Sequence, residues 1–89
     1  YFENMQNDQI LAKAFGQTLR ARREKSGLSQ TALAKRIQTS KSYIQYLEYG
    51  QNQPSLTTLV RLSVALDAEP GEFLQDAVRL CRVLKDAES

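Results

Sequence analysis

The chain has 89 residues, 42% of them hydrophobic and 25% charged, which suits one folded domain and excludes both two domains and a disordered charged tail. It carries a net charge of +2, no histidine and one cysteine, Cys81, so an internal disulfide and a zinc site of the usual Cys/His kind are excluded. No apolar run approaches the ~18 residues of a membrane span and no secretory leader pattern opens the chain, so a cytoplasmic protein with no membrane partner and no metal is expected.

Tyr1 and Phe2 open the sequence without an initiator methionine, and residues 1–7 are set aside as an N-terminal extension or tag remnant. Asp8 is a good N-cap for a first helix that carries Leu11, Phe15 and Leu19 on one face and ends in a left-handed cap at Gly27. Gly16 within it reads as a small local cost. Ser29 caps a second helix, with Leu28 and Leu33 placed as a hydrophobic staple and Ala34 and Ile37 continuing the inner face. Ser40 caps a third helix, which Gly50 closes. After the loop Gln51-Asn52-Gln53-Pro54, Ser55 caps a fourth, with Leu56, Leu59, Leu62 and Leu66 along its buried side. Pro70 opens the fifth. No stretch alternates as a strand does; the expected class is all-α, with five helices.

The charge is distributed unevenly. From Lys13 to Gly50 the net charge is +6, and from Gln51 to Ser89 it is −2, so the end of the domain that holds the first three helices is suited to phosphates. On a helical wheel of about 100° per residue, Ile44, Leu47 and Glu48 fall with Ser40 on one side of the third helix. Lys41, Ser42, Gln45, Tyr46 and Tyr49 fall on the other. A short helix with that donor-rich face fits a DNA major groove, although the same residues also suit a solvated face of a bundle.

The stretch LSQTALAKRIQTSKSYIQYLEYGQNQPSLTTLVRLSVALDAEPGEFL, from Leu28 to Leu74, carries an ordered set of motifs: the LSQ opening, the pair Leu33-Ala34, SYI, the L-E-x-G from Leu47 to Gly50, and P-S-L-x-T-L from Pro54 to Leu59. It resembles the helix-turn-helix domain of the phage repressor, Cro and XRE family of transcriptional regulators. With the first helix included, the resemblance covers about two-thirds of the chain. It implies a lambda-repressor-like domain at residues 8–76, in a bacterial or phage-derived protein whose second and third helices form the helix-turn-helix. It further implies a phosphate contact from Gln30, a backbone contact from Tyr43, and a structural salt bridge between Arg23 and Glu48. Gln38 departs from the family by replacing the usual turn glycine, so a residue with a Cβ is expected at positive φ at a cost of about 1 kcal/mol. Thr39 replaces a branched aliphatic, and Tyr46 and Tyr49 stand where shorter polar or basic residues are usual.

These readings give a candidate site. Lys41, Ser42, Gln45 and Tyr46 are the expected base readers. Gln30, Thr31, Tyr43, Tyr49, Asn52, Gln53 and Ser55 are the expected phosphate contacts. The fifth helix carries two apolar seams, Phe73-Ala77-Leu80-Leu84 and Leu74-Val78-Cys81, of which one can close the core while the other meets a second subunit; Phe73, Ala77, Leu80 and Leu84 are assigned to a homodimer interface that residues 77–89 extend. The other arrangement is one wide stripe buried within the monomer under a long first helix. The expected partners are double-stranded DNA and a second copy of the chain, with no cofactor and no small-molecule effector. The alternative function is an antitoxin-like or protein-interaction module working through the fifth helix. No nucleophile elbow, phosphate loop or metal-ligand cluster suggests an enzyme.

Overall fold

Serine hydroxyls start three of the five helices. A computed structural model describes residues 5–88, which form α1 (Met5–Lys25), α2 (Gln30–Arg36), α3 (Lys41–Glu48), α4 (Leu56–Ala65) and α5 (Pro70–Glu88) and, among the described residues, no strand. Ser29, Ser40 and Ser55 all have extended backbones, and their side chains accept from the N–H groups of Ala32, Tyr43 and Thr58, which satisfies donors that a helix start otherwise leaves open. Asp8 is not a cap. α1 begins at Met5, so residues 5–7 of the expected extension are helical and Asp8 lies in the first turn, where a carboxylate favours the helix dipole. Residues 1–4 of that extension, and Ser89, lie outside the described residues.

The first four helices all end in the same way. A left-handed residue follows each, at Gly27 (φ 72°), Gln38 (φ 59°), Gly50 (φ 72°) and Asp67 (φ 53°). The next N–H then turns back onto the helix: Leu28 to the Arg23 carbonyl (3.2 Å), Thr39 to Ala34 (2.9 Å), Gln51 to Tyr46 (3.3 Å) and Ala68 to Ser63 (2.8 Å). These are Schellman closures. Gln38 takes the strained conformation expected of it, while Asp67 is a second such residue that the sequence reading passed over. Aspartate visits this region at lower cost than most side chains.

The main core joins Phe15 and Leu19 of α1 to Leu33 and Ala34 of α2, Ile44 and Leu47 of α3, Leu62 and Leu66 of α4, and Phe73 and Ala77 of α5. The rings of Phe15 and Phe73 stack at 5.1 Å between centroids, a geometry that adds to their area burial. Two buried hydroxyls bond within their own helices, Thr18 to the Ala14 carbonyl (2.9 Å) and Ser63 to that of Leu59 (2.8 Å), so neither introduces an unpaired polar group.

α1 lies along α5, and beyond the main core the two helices form a second cluster. Ile10, Ala14 and Cys81 are buried there, with Leu11, Leu80 and Leu84 packed against them. This corrects the assignment of the fifth helix to a subunit interface. Phe73 and Ala77 are wholly buried in the chain's own core, and Leu80 and Leu84 pack on the start of α1. The apolar seam was real; α1 and the core bury its first half, while Leu80 and Leu84 stay half-buried against α1. Leu56 is corrected in the opposite sense: on the wheel it lies about a third of a turn from Leu62, and it stands 78% exposed. Among the described residues no helix is long and apolar enough to cross a membrane.

Two glycines fix how closely α1 crosses the end of α3. A Cβ on Gly16 would stand 2.4 Å from the Leu47 carbonyl oxygen and 2.6 Å from that of Glu48, and a Cβ on Gly50 would stand 2.7 Å from Lys13 Cα. Gly16 is therefore a contact surface and not merely a local cost. Replacing a mid-helix glycine by alanine ordinarily stabilises by up to about 1 kcal/mol. Gly16→Ala is expected to reverse that sign and destabilise by about 1–3 kcal/mol through overpacking against backbone, as measured by urea or thermal unfolding; a raised melting temperature would disprove the contact.

Candidate nucleic-acid interface

α3 is held from behind by apolar packing and by one carboxylate. Ile44 and Leu47 are fully buried, and Glu48 is buried beside them. Arg23 of α1 reaches Glu48 with two bonds, Nε to Oε2 at 2.6 Å and Nη2 to Oε1 at 3.1 Å, and its Nη1 donates to the Leu28 carbonyl at 2.9 Å. The two side chains are 11% and 2% exposed. The hydrogen bond to Glu48 raises the Arg23 pKa above its ordinary value, outweighing the lowering effect of burial. A raised folded-state pKa means that the arginine's contribution is complete below the ordinary arginine value and is lost only above it, beyond the working range of pH.

The salt bridge expected between Arg23 and Glu48 is thus present, and a third partner joins it. Gln30, at the start of α2, donates Nε2 to Glu48 Oε1 at 3.0 Å. One of its two amide hydrogens is thus committed to holding α3. One carboxylate therefore connects α1, α2 and α3.

The opposite face of α3 is turned outward. Lys41, Ser42, Tyr46 and Tyr49 are exposed, Tyr49 at 68%, while Gln45 is half-buried. Tyr43 is also half-buried and packs against the main core, in keeping with its place at the border of the two faces. Lys41 and Tyr49 share an open cleft of about 390 Å³ with Gln30 and Thr31 of α2 and Arg20 of α1. Arg20 was not among the expected residues. The signal was available, since Arg20 precedes Arg23 by three residues and so shares its side of the helix. Its link to Glu24, 3.6 Å on the surface, is of a kind that contributes little.

The remaining expected phosphate contacts lie in the α3–α4 loop, where their side chains also shape the chain locally. Asn52 Oδ1 accepts from the Gln53 N–H at 2.8 Å, and Gln53 Nε2 donates to the Asp8 carbonyl at 3.1 Å. Ser55 accepts from Thr58 N–H and donates to the Thr58 hydroxyl at 3.0 Å. Asn52 and Gln53 line a separate cleft with the start of α1. The structure therefore divides the expected phosphate residues into a group around Lys41 and a loop group.

α2, the tight turn at Gln38-Thr39 and α3 form two short packed helices, and a family model described as a helix-turn-helix domain matches residues 14–76. The chain belongs to the helix-turn-helix family. This helix-turn-helix protein is 36% identical over 67 residues to an HTH-type transcriptional regulator, y4wC, of Sinorhizobium fredii; the match covers 75% of this chain and 47% of that protein, so the chain spans about half the length of the curated relative it matches. Its structure resembles that of the clp gene regulator ClgR of Corynebacterium glutamicum, with a TM-score of 0.82 and 28% identity over 88% of this chain and 83% of that one. It also resembles the restriction-modification controller protein C.AhdI of Aeromonas hydrophila, with a TM-score of 0.67 and 42% identity over 70% and 94% of the two chains. The family and the all-α fold implied by the sequence motifs are both borne out.

Removing one member of the buried pair leaves the other charge stranded. Glu48→Leu is expected to cost about 3 kcal/mol, and the joint replacement Arg23→Met with Glu48→Leu much less than the sum of the single changes. Denaturant unfolding of the four proteins checks this; additive losses would show that the charges do not act as a pair.

Proposed function

We propose that this chain is a sequence-specific double-stranded DNA-binding transcriptional regulator that lays α3 in the major groove. The observation that carries this is the division of α3: a buried side fixed by Ile44, Leu47 and the Arg23–Glu48–Gln30 bonds, and an outward side with Lys41, Ser42, Tyr46 and Tyr49. Rigid attachment behind and polar donors in front are what base recognition requires.

In this reading Ser42, Gln45 and Tyr46 meet base edges. Glutamine can pair bidentately with adenine, and the tyrosine ring can touch a thymine methyl. Lys41 serves guanine or phosphate. Gln30, Thr31 and Tyr49 anchor one stretch of backbone, joined by Arg20, and Tyr43, Asn52, Gln53 and Ser55 anchor another. The positive charge of the first half of the chain supports both sets. An α3 seated in the groove would occupy DNA that other proteins need, so we read the protein as a repressor. Two copies on a pseudo-palindromic site would place two α3 helices about 34 Å apart, one turn of DNA.

Selection of bound sequences from random duplex DNA at fixed salt is expected to yield a defined half-site. Gln45→Ala should then lose about 1–3 kcal/mol on that site and relax the preference at one base pair. An unchanged ratio of specific to random binding would remove Gln45 from the reading face. Arg20→Ala is expected to weaken all sequences alike and to lower the salt slope by about one, as read by binding titrations at several salt concentrations.

A further inference from the structure

The surplus apolar surface of this chain is on α4, and cations border it. Leu56 is 78% exposed, Val60 43% and Val64 70%. Residues four apart lie on one side of a helix, so the three form a seam; single exposed aliphatics are ordinary, whereas a contiguous seam marks an interaction surface. Between the second half of this seam and the end of α2 runs an open groove of about 570 Å³. Its apolar lining is Ile37, Val60, Val64 and Ala65, and its charged lining is Arg36 and Arg61.

No carboxylate answers those two arginines. α2 and α4 carry Lys35, Arg36 and Arg61 and no acidic residue, and the ion pairs among the described residues lie on α1, α3 and α5. Arg36 is nonetheless held in place, since its Nη1 donates to the Ala65 carbonyl at 3.1 Å. An arginine already fixed loses less freedom when it takes a carboxylate.

The combination of aliphatic lining and uncompensated positive charge selects among occupants. Duplex DNA would take the arginines and leave the valines without apolar cover. A second copy laid groove to groove would set Arg36 and Arg61 against their own equivalents, which opposes association. A lipid surface is flat, whereas the groove lies between two helices. A different protein that presents aliphatic side chains flanked by Asp or Glu satisfies both parts, with apolar cover for the valines and carboxylates for the guanidinium groups. An amphipathic helix brings that pattern into a groove at spacings of three and four.

The groove is also clear of the reading side. The cleft around Lys41 takes Gln30 and Thr31 from the start of α2, the groove takes Arg36 from its end, and the two share no lining residue. We propose that the groove between α2 and α4 is a docking site for an acidic amphipathic helix of a partner protein, with its aliphatic side chains on Val60 and Val64 and its carboxylates on Arg36 and Arg61. Docking does not depend on the DNA reading.

The probe is a display library of amphipathic peptides about 15 residues long, enough to form a helix on binding, with randomised polar positions. Selection is on the immobilised full chain without DNA. Enriched peptides are expected to carry Asp or Glu beside aliphatics three or four apart. In solution they should bind about 10-fold or more weakly to Val64→Glu and to the double variant Arg36→Glu, Arg61→Glu, each with an unchanged circular-dichroism spectrum. Exchanging the peptide's acids for lysine should restore binding to the double variant, which loss of folding could not produce. Amide shifts on peptide addition should centre on residues 36–38 and 60–65 and leave 41–48 unmoved. Enrichment of basic or uncharged peptides would overturn the proposal, as would no enrichment, shifts centred on another face, or a dimer of the chain that Val64→Glu breaks. Phosphatidylglycerol vesicles that bind wild type as tightly as the peptide, and not Val64→Glu, would assign the face to lipid instead. Peptide docking in a protein with no DNA sequence preference would uphold the site and reject the DNA reading.

Discussion

Everything that α3 can do depends on the carboxylate of Glu48. Arg23 grips it from α1, Gln30 from α2, and the same guanidinium also takes the Leu28 carbonyl at the junction between those helices. Apolar packing by Ile44 and Leu47 gives α3 its depth, but apolar contacts are weakly directional, and a short helix held by them alone has latitude to roll. A bidentate guanidinium–carboxylate pair fixes an angle as well as a distance. Buried ion pairs are seldom the cheapest way to stabilise a core; here the pair sets the orientation of the outward face.

Apart from the start of α1, the sequence made the boundaries of the helices legible because boundaries are local chemistry. Ser29, Ser40 and Ser55 act as caps within a few residues of themselves, and Gly27 and Gly50 supply left-handed backbone on the spot. Even the positive φ of Gln38 followed from a motif whose turn needs it. Asp67, with the same conformation, had no glycine-bearing motif to betray it. The outward polar side of α3 and the Arg23–Glu48 pair were likewise visible, through wheel geometry and family resemblance respectively.

What the sequence concealed was long-range pairing. Periodicity reports that a helix has an apolar side without saying which surface covers it, so the seam of α5 suited a second subunit as well as it suited α1. The start of α1 at Met5 decided the matter, with Ile10, Leu11 and Ala14 meeting Cys81, Leu80 and Leu84. Leu56 was misplaced for a related reason: a run of leucines at helical spacing looks like one stripe, although α4 buries only part of it. Gly16 looked like a flaw because its neighbours, the carbonyls of Leu47 and Glu48, are about thirty residues away in the chain.

That approach of Gly16 to the end of α3 has a consequence for how such a domain can diversify. The contact is made by a residue without a side chain against main-chain oxygens, and those oxygens remain whatever side chains α3 carries. Together with Glu48 it forms a socket indifferent to the identities of positions 41, 42, 45, 46 and 49. The outward face can therefore be rewritten with little effect on the mounting: variation is confined to one face, with a constant frame behind it.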